Sequence, residues 1–183
     1  MYYNHKMRKF LLLLIFLSSY NFCIGQQRVT EENEDGTYSN GFRDEDGYKT
    51  GEWKKYYASG KVFILANYVN DTLEGKVISF YKNGKTQAEN DYLVGKLNGI
   101  SKQYDIKGNP IREISYKENI IFGNCKYYEE GLLDNEIYYK NGAINGPCKQ
   151  YRKGILEMEW IQLPNGARRD QICYDIKTGK KRN

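Results

Sequence analysis

Histidine and closely spaced cysteines are scarce in this chain of 183 residues, and each shortage excludes a class of function. The single histidine is His5, so the remaining chain cannot supply a Ser-His-Asp or Cys-His mechanism and lacks the commonest metal ligand. It contains neither a C-x-x-C pair nor the phosphate-binding pattern G-x-x-x-x-G-K-[ST]. We therefore predict a protein that is not an enzyme, with no catalytic residues, no metal site and no cofactor.

A second shortage is that of long apolar runs. Residues 10–17 form an unbroken apolar stretch that is shorter than the roughly 20 residues needed to span a bilayer. A basic segment precedes it, and small residues at the cleavage positions end at Gly25. The pattern predicts a signal peptide over residues 1–25 and export across the cytoplasmic membrane, to the periplasm or beyond the cell. An uncleaved anchor and a lipoprotein acylated at Cys23 are the alternatives.

Neither positive nor negative charge is in large excess. The formal net charge of the full sequence is +5, and three of its basic residues lie within the predicted signal peptide. Removing residues 1–25 leaves 25 Lys and Arg against 23 Asp and Glu. Such a balance provides no extended basic patch, and we exclude nucleic acid as a partner.

Tyrosine and glycine are abundant, with 18 of each. Tyrosine favours strands, and glycine supplies the positive φ of tight turns. Both recur in a fixed register: opening glycines are spaced 24, 24, 24 and 23 residues apart, and an aromatic residue and a closing glycine follow each one. The opening glycines are Gly51, Gly75, Gly99, Gly123 and Gly146. A repeat of this length indicates a stacked array of identical supersecondary units.

The turns within each repeat indicate hairpins. Ser59-Gly60, Asn83-Gly84 and Lys107-Gly108 place glycine second, as in a two-residue type I′ turn. A second turn series comprises Asn70-Asp71, Val94-Gly95, Glu118-Asn119 and Asn141-Gly142. The opening glycines lie inside strands, where they indicate a bulge or a close backbone approach.

We predict an all-β fold, an elongated antiparallel β-hairpin meander in a single layer, with about five units of roughly 24 residues. A polar lead-in and degenerate half-unit precede the repeats at residues 26–47, the repeats occupy 48–154, and degenerate capping strands follow at 155–183. The acidic run from Asp44 to Asp46 resembles the start of a calcium loop, but position twelve is Lys55, so we interpret it as a turn.

The phrase G-x-W-x-x-Y-Y-x-x-G-K at residues 51–61, followed by N-Y-x-N-x-x-x-x-G from Asn67, resembles the MORN repeat (membrane occupation and recognition nexus). It is most similar to the bacterial variant found in YwqK-type antitoxin-like proteins. The resemblance covers about residues 48–154 and implies an elongated, twisted sheet of hairpins. Repeats of this kind occur in scaffolds, in lipid-associated proteins and beside catalytic domains.

The aromatic residues carry the prediction of a binding site. We interpret the ladder tyrosines, eight residues after a closing glycine, as core; they are Tyr68, Tyr92, Tyr116 and Tyr139. Trp53, Tyr57, Tyr81 and Tyr127 exceed what this ladder needs, and we expect the other face of the sheet to present them to a partner.

The favoured function is that of a protein-binding or scaffold module in the cell envelope or outside it. The alternatives are an antitoxin or immunity protein, and a surface module that binds glycans or the lipid headgroups of a membrane. An open meander exposes two edge strands, through which copies of the chain can pair into oligomers.

Cysteine use is the last sequence feature. Cys125 and Cys148 occupy the same repeat position, and equivalent positions lie two strands apart, about 9.6 Å. A disulfide requires Cα atoms within about 7 Å, so we interpret both residues as small apolar fillers. Cys173 reaches either of them only if the C-terminal strands fold back.

Overall fold

The computed structural model describes residues 25–182, which form 15 strands and no helix. The predicted signal peptide, apart from Gly25, lies outside the described residues. The strands are β1 (Gln27–Glu32), β2 (Tyr38–Arg43), β3 (Lys49–Tyr56), β4 (Val62–Val69), β5 (Thr72–Leu73), β6 (Gly75–Phe80), β7 (Thr86–Leu93), β8 (Lys96–Tyr104), β9 (Pro110–Lys117), β10 (Ile120–Ile121), β11 (Gly123–Glu129), β12 (Leu132–Lys140), β13 (Ala143–Arg152), β14 (Ile155–Gln162) and β15 (Arg168–Cys173).

All strands join one antiparallel sheet, and their order in the sheet is their order in the chain from β1 to β15. The two short strands β5 and β10 lie off this path, each pairing with the strand before it. The predicted all-β antiparallel hairpin meander in a single layer is therefore confirmed. No described helix is long and apolar enough to cross a membrane.

The turns at the closing glycines of the first three repeats differ from the prediction. In the first of them the amide of Gly60 donates to the carbonyl of Tyr57, and the amide of Tyr57 donates to that of Lys61. Among the loop residues only Gly60 has positive φ, at 81°. This is a three-residue loop, a type I turn with a G1 bulge, and the type I′ prediction is wrong here. Residues 81–85 and 105–109 repeat it.

The second turn series is as predicted. Asn70 and Asp71 both have positive φ, at 48° and 59°, and Val69 pairs with Thr72 across them. Both central residues in the left-handed region define the two-residue type I′ turn. The same conformation occurs at the other three predicted positions and also at Glu130-Gly131 and Lys153-Gly154.

The opening glycines lie at irregularities in the strands, as predicted. All five have positive φ, a conformation that side chains disfavour. A Cβ at Gly99 would lie 2.8 Å from Asp91 Cβ, and one at Gly146 would lie 2.7 Å from Tyr138 Cδ1. Register shifts in β7–β8 and β12–β13 mark bulges at these two glycines.

Both ends of the repeat region continue the sheet. Residues 26–47 form the hairpin of β1 and β2, and residues from 155 onward form β14 and β15. The acidic run is a turn, as interpreted: Asp44 Oδ1 accepts hydrogen bonds from the amides of Asp46 and Tyr48. The strands therefore extend beyond residues 48–154 on both sides.

Candidate functional site

The sheet has two different faces, which we name by their residues. The core face bears Trp53, Cys125, Cys148 and Trp160, and the charged face bears Lys102, Glu113, Lys126 and Glu136. Strand register assigns each side chain to a face, because directly paired residues in antiparallel strands lie on the same side. Thus Trp53 pairs with Ala66, and Cys148 pairs with Trp160.

A line of small and apolar side chains crosses the middle of the core face. Its buried members are Trp53, Ala66, Ile114, Cys125, Cys148 and Trp160. At the centre of the array a polar pair replaces them, and Ser101 Oγ donates to Asn90 Oδ1 at 2.6 Å. In a single-layer sheet, these side chains can be buried only by neighbouring side chains on the same face. The tyrosine rings on either side of the line therefore form the accessible surface of the core face.

Trp53, the first predicted binding residue, is only 3% exposed. Its indole nitrogen donates to the carbonyl of Phe42 at 3.0 Å, and its ring packs edge-on against Tyr68 with centroids 6.3 Å apart. The ammonium of Lys49 lies 4.0 Å from the ring centroid. An open recess of about 260 Å³ lies beside it, lined in part by Lys49 and Tyr68.

Tyr57 and Tyr81 connect neighbouring repeats. Each is half-buried at the entrance to a closing turn. The hydroxyl of Tyr57 donates to the carbonyl of Phe80 at 2.8 Å, and that of Tyr81 donates to the carbonyl of Tyr104 at 2.7 Å. Asp105 occupies the next equivalent position, where the series ends.

Tyr127, the fourth predicted residue, lies half-buried on the core face. It pairs with Asn135, and its hydroxyl lies 3.2 Å from that of the ladder tyrosine Tyr139. Burial raises the pKa of Tyr127 above its usual value, and the hydrogen bond with Tyr139 adds to this shift.

The assignment of faces from the sequence was wrong in one respect. Gly51 pairs with Tyr68 and Trp53 with Ala66, so the ladder tyrosine Tyr68 lies on the same face as Trp53. The contact between Tyr127 and Tyr139 gives the same result in a later repeat. Trp53 and Tyr127 therefore share the core face with the ladder tyrosines, and of the four predicted binding residues only Trp53 is buried. Their role in binding stays a prediction.

The charged face carries an alternating series of charges that the sequence analysis missed. Directly paired residues on seven successive strands are Glu89, Lys102, Glu113, Lys126, Glu136, Lys149 and Glu159, in that order. Opposite charges on directly opposed strands attract. The signal was present in the repeat, because the glutamates recur at spacings of 24, 23 and 23 residues.

Tyrosine hydroxyls complete the charged face. Tyr128 donates to Glu113 at 3.1 Å, and Tyr151 donates to Glu136 at 3.0 Å. Burial, together with the neighbouring carboxylate, raises the pKa of Tyr128 to about 12. Glu113 and Glu136 thus each have opposed lysines and a hydroxyl donor.

The family model described as MORN repeat variant matches residues 49–70 and 73–93. Two MORN repeats therefore lie within residues 49–93 of this chain. The matched residues cover the hairpin of β3 and β4 and the hairpin of β6 and β7, and no curated protein matches the chain. MORN repeats generally bind proteins or membrane lipids, so the two matched repeats indicate a repeat-based binding module.

The three cysteines within the described residues, Cys125, Cys148 and Cys173, are free thiols. Cys125 and Cys148 are 0% and 1% exposed, and Ile137 of β12 pairs with both of them and thus lies between them. Burial raises the pKa of both thiols, which disfavours the reactive thiolate. They fill the core face, as the sequence predicted.

Proposed function

We propose that this chain is an exported, non-enzymatic module that binds another protein through its core face. The observation that carries the proposal is the uncovered row of half-buried tyrosines on that face, with Tyr68, Tyr92, Tyr116 and Tyr139 following one another at the repeat spacing. Tyrosine is enriched at the centres of protein interfaces, where it supplies apolar area and a polar hydroxyl together.

The charged face is the weaker candidate for such an interface. Its carboxylates already accept hydrogen bonds from Tyr128 and Tyr151, and its charges alternate in sign. The centre of a protein interface is depleted of charge, because desolvating an ion costs more than most contacts return. The proposed site therefore also includes the four residues predicted from the sequence, which support or surround the row of ladder tyrosines. They are Trp53, Tyr57, Tyr81 and Tyr127.

Two adjacent residues provide a matched test. Tyr127 lies on the core face and Tyr128 on the charged face, so a photo-crosslinking amino acid at each position samples opposite sides of one strand. We expect a protein adduct from position 127 and none from position 128 after irradiation in an envelope extract of the source cell. Adducts from position 128 alone contradict the proposal, as do adducts at 127 made only with lipid or glycan. A toxin recovered at 127 would assign the antitoxin-like role.

Export has its own test. Cell fractionation followed by mass spectrometry should find the chain outside the cytoplasm with an N-terminus at Gln26. Replacing apolar residues within 10–17 by charged ones should retain the uncleaved chain in the cytoplasm, since signal recognition depends on that apolar segment. An unprocessed wild-type chain in the cytoplasm would show that this part of the proposal is wrong.

A further inference from the structure

The two edge strands of the sheet are protected to different degrees. On β15 the register of pairing with β14 is broken between Glu159 and Ile161, and Asp170 has a φ of 54°. The chain then folds back, so that Tyr174 bridges Lys181 and the amide of Arg182 donates to the carbonyl of Cys173. Bulges and covering segments of this kind prevent another strand from pairing at an edge.

The opposite edge, β1, lacks such protection within the described residues. Its six residues pair with β2 in one continuous register from Gln27 to Glu32. Every residue of β1 is outside the positive-φ region, and the strand contains neither proline nor glycine. The strand therefore presents a regular outer edge.

The alternation of hydrogen-bonded and non-hydrogen-bonded pairs between β1 and β2 identifies which backbone N–H and C=O groups point outward. The amide of Asn33 donates to the carbonyl of Thr37, which makes this a hydrogen-bonded pair. Such pairs alternate along antiparallel strands, so Glu31, Val29 and Gln27 bond inward to β2. The backbone N–H and C=O groups of Arg28, Thr30 and Glu32 consequently point away from the sheet.

We propose that a second copy of this chain pairs antiparallel with β1, joining two sheets edge to edge. The outward groups fit one register, in which Thr30 opposes Thr30 of the second copy and Arg28 opposes its Glu32, twice by symmetry. Arg28, Thr30 and Glu32 then each form a hydrogen-bonded pair with a residue of the second copy. Their side chains are exposed and lie together on the charged face, because Thr30 pairs with Asn40 and Asn40 pairs with Lys54, on the side of the sheet opposite Trp53.

Charge complementarity favours a second copy of this chain as the partner of β1. Each Arg28 meets a Glu32, and opposite charges directly across a strand pair stabilise it, while the two Thr30 residues also form a favourable cross-strand pair. A closed two-fold contact of this type uses the same strand from both copies. Both β1 edges are then paired, and the protected strand β15 forms each end of the joined sheet. Dimerisation goes beyond the proposed function and does not depend on it.

A charge exchange in the full chain tests the pairing. Sedimentation velocity over a range of concentrations should show a monomer–dimer equilibrium. Arg28→Glu should weaken association about tenfold, since it creates two like-charge contacts, and Glu32→Arg should do the same. The double variant Arg28→Glu/Glu32→Arg should restore the wild-type dissociation constant. A wild-type chain that stays monomeric overturns the proposal, and so does a single variant that associates as the wild type does.

A backbone test separates the outer edge from the fold. Thr30→Pro removes an N–H that points away from β2, so it should abolish the dimer and leave the circular dichroism spectrum unchanged. Thr30→Cys, in a Cys173→Ser background, should form an interchain disulfide on mild oxidation, because directly opposed Cα atoms lie about 5.5 Å apart. Val29→Cys in the same background should not. A Val29 crosslink without a Thr30 crosslink would refute this register.

Discussion

The ring of Trp53 occupies the space that a side chain at Gly41 would need. A Cβ built on Gly41 would lie 2.4 Å from Cδ2 of Trp53 and 2.5 Å from Cε2. Gly41 is buried and its φ is not positive, so the requirement for glycine here is steric rather than conformational. The ring is also fixed by its hydrogen bond to Phe42 and cannot move aside freely.

We expect Gly41→Ala to reduce the free energy of unfolding by about 1–3 kcal/mol, the usual cost of overpacking a fixed core. Tryptophan fluorescence should shift, because the indole must leave its buried position. The control is Asn40→Ala on the same strand, which faces the other side and should change stability little. Equal effects of the two variants would contradict the steric explanation.

Val94 is a β-branched residue in the left-handed region, with φ 47°, in the type I′ turn between β7 and β8. This conformation costs an L-residue about 1–2 kcal/mol, whereas asparagine tolerates it. We expect Val94→Asn to raise the free energy of unfolding by about 1 kcal/mol, measured by urea denaturation. Leu93→Asn, one residue earlier and outside the turn, is the control and should not stabilise the chain.

Glu31 provides a stability term that depends on pH. Burial raises its pKa, but hydrogen bonds from Arg43 and Lys49 outweigh this and hold the pKa below the ordinary value of 4.5. The lowered pKa contributes stability above pH 4.5 that disappears as the pH falls through the folded value. Because Glu31 is partly exposed, Glu31→Gln should cost about 0.5–1 kcal/mol at pH 7 and nothing in strong acid. A difference that persists in strong acid would contradict this account.

The contact between Tyr128 and Glu113 on the charged face should make stability depend on pH in the alkaline range. Burial and Glu113 together raise the pKa of Tyr128 to about 12, so the stability that this tyrosine contributes is complete below pH 10 and lost as the pH approaches 12. Glu113→Gln should move the titration of Tyr128 toward 10, followed through the tyrosinate absorbance. The exposed Glu129→Gln is the control and should leave that titration unchanged.

The repeat and its second series of turns could be predicted from the sequence, whereas the faces of the sheet could not. Asn70-Asp71 and most of its equivalents indicate two-residue turns because asparagine, aspartate and glycine tolerate positive φ, although valine, as at Val94, does not. The face of Tyr68 relative to Trp53, however, depends on the bulge between Lys55 and Tyr56, where the partner strand carries an extra residue. One added residue moves every later side chain to the other face, and the residue pattern does not mark it.

The closing turns show a similar limit, together with the cause of the irregular period. A glycine at the end of the turn fits both a two-residue and a three-residue loop, so Ser59-Gly60 alone did not distinguish them. The first three repeats use the longer loop, and the turns at Glu130-Gly131 and Lys153-Gly154 use the shorter one. The loss of one loop residue accounts for the change in glycine spacing from 24 to 23.

The agreement between strand order and chain order affects how the molecule is made. Every strand finds its partner among its immediate neighbours in sequence, so no part of the sheet waits for a distant segment to be synthesised. Contacts of short sequence separation form quickly because little loop entropy is lost. The sheet can therefore assemble progressively from one end of the chain, each new hairpin pairing with the strands already formed.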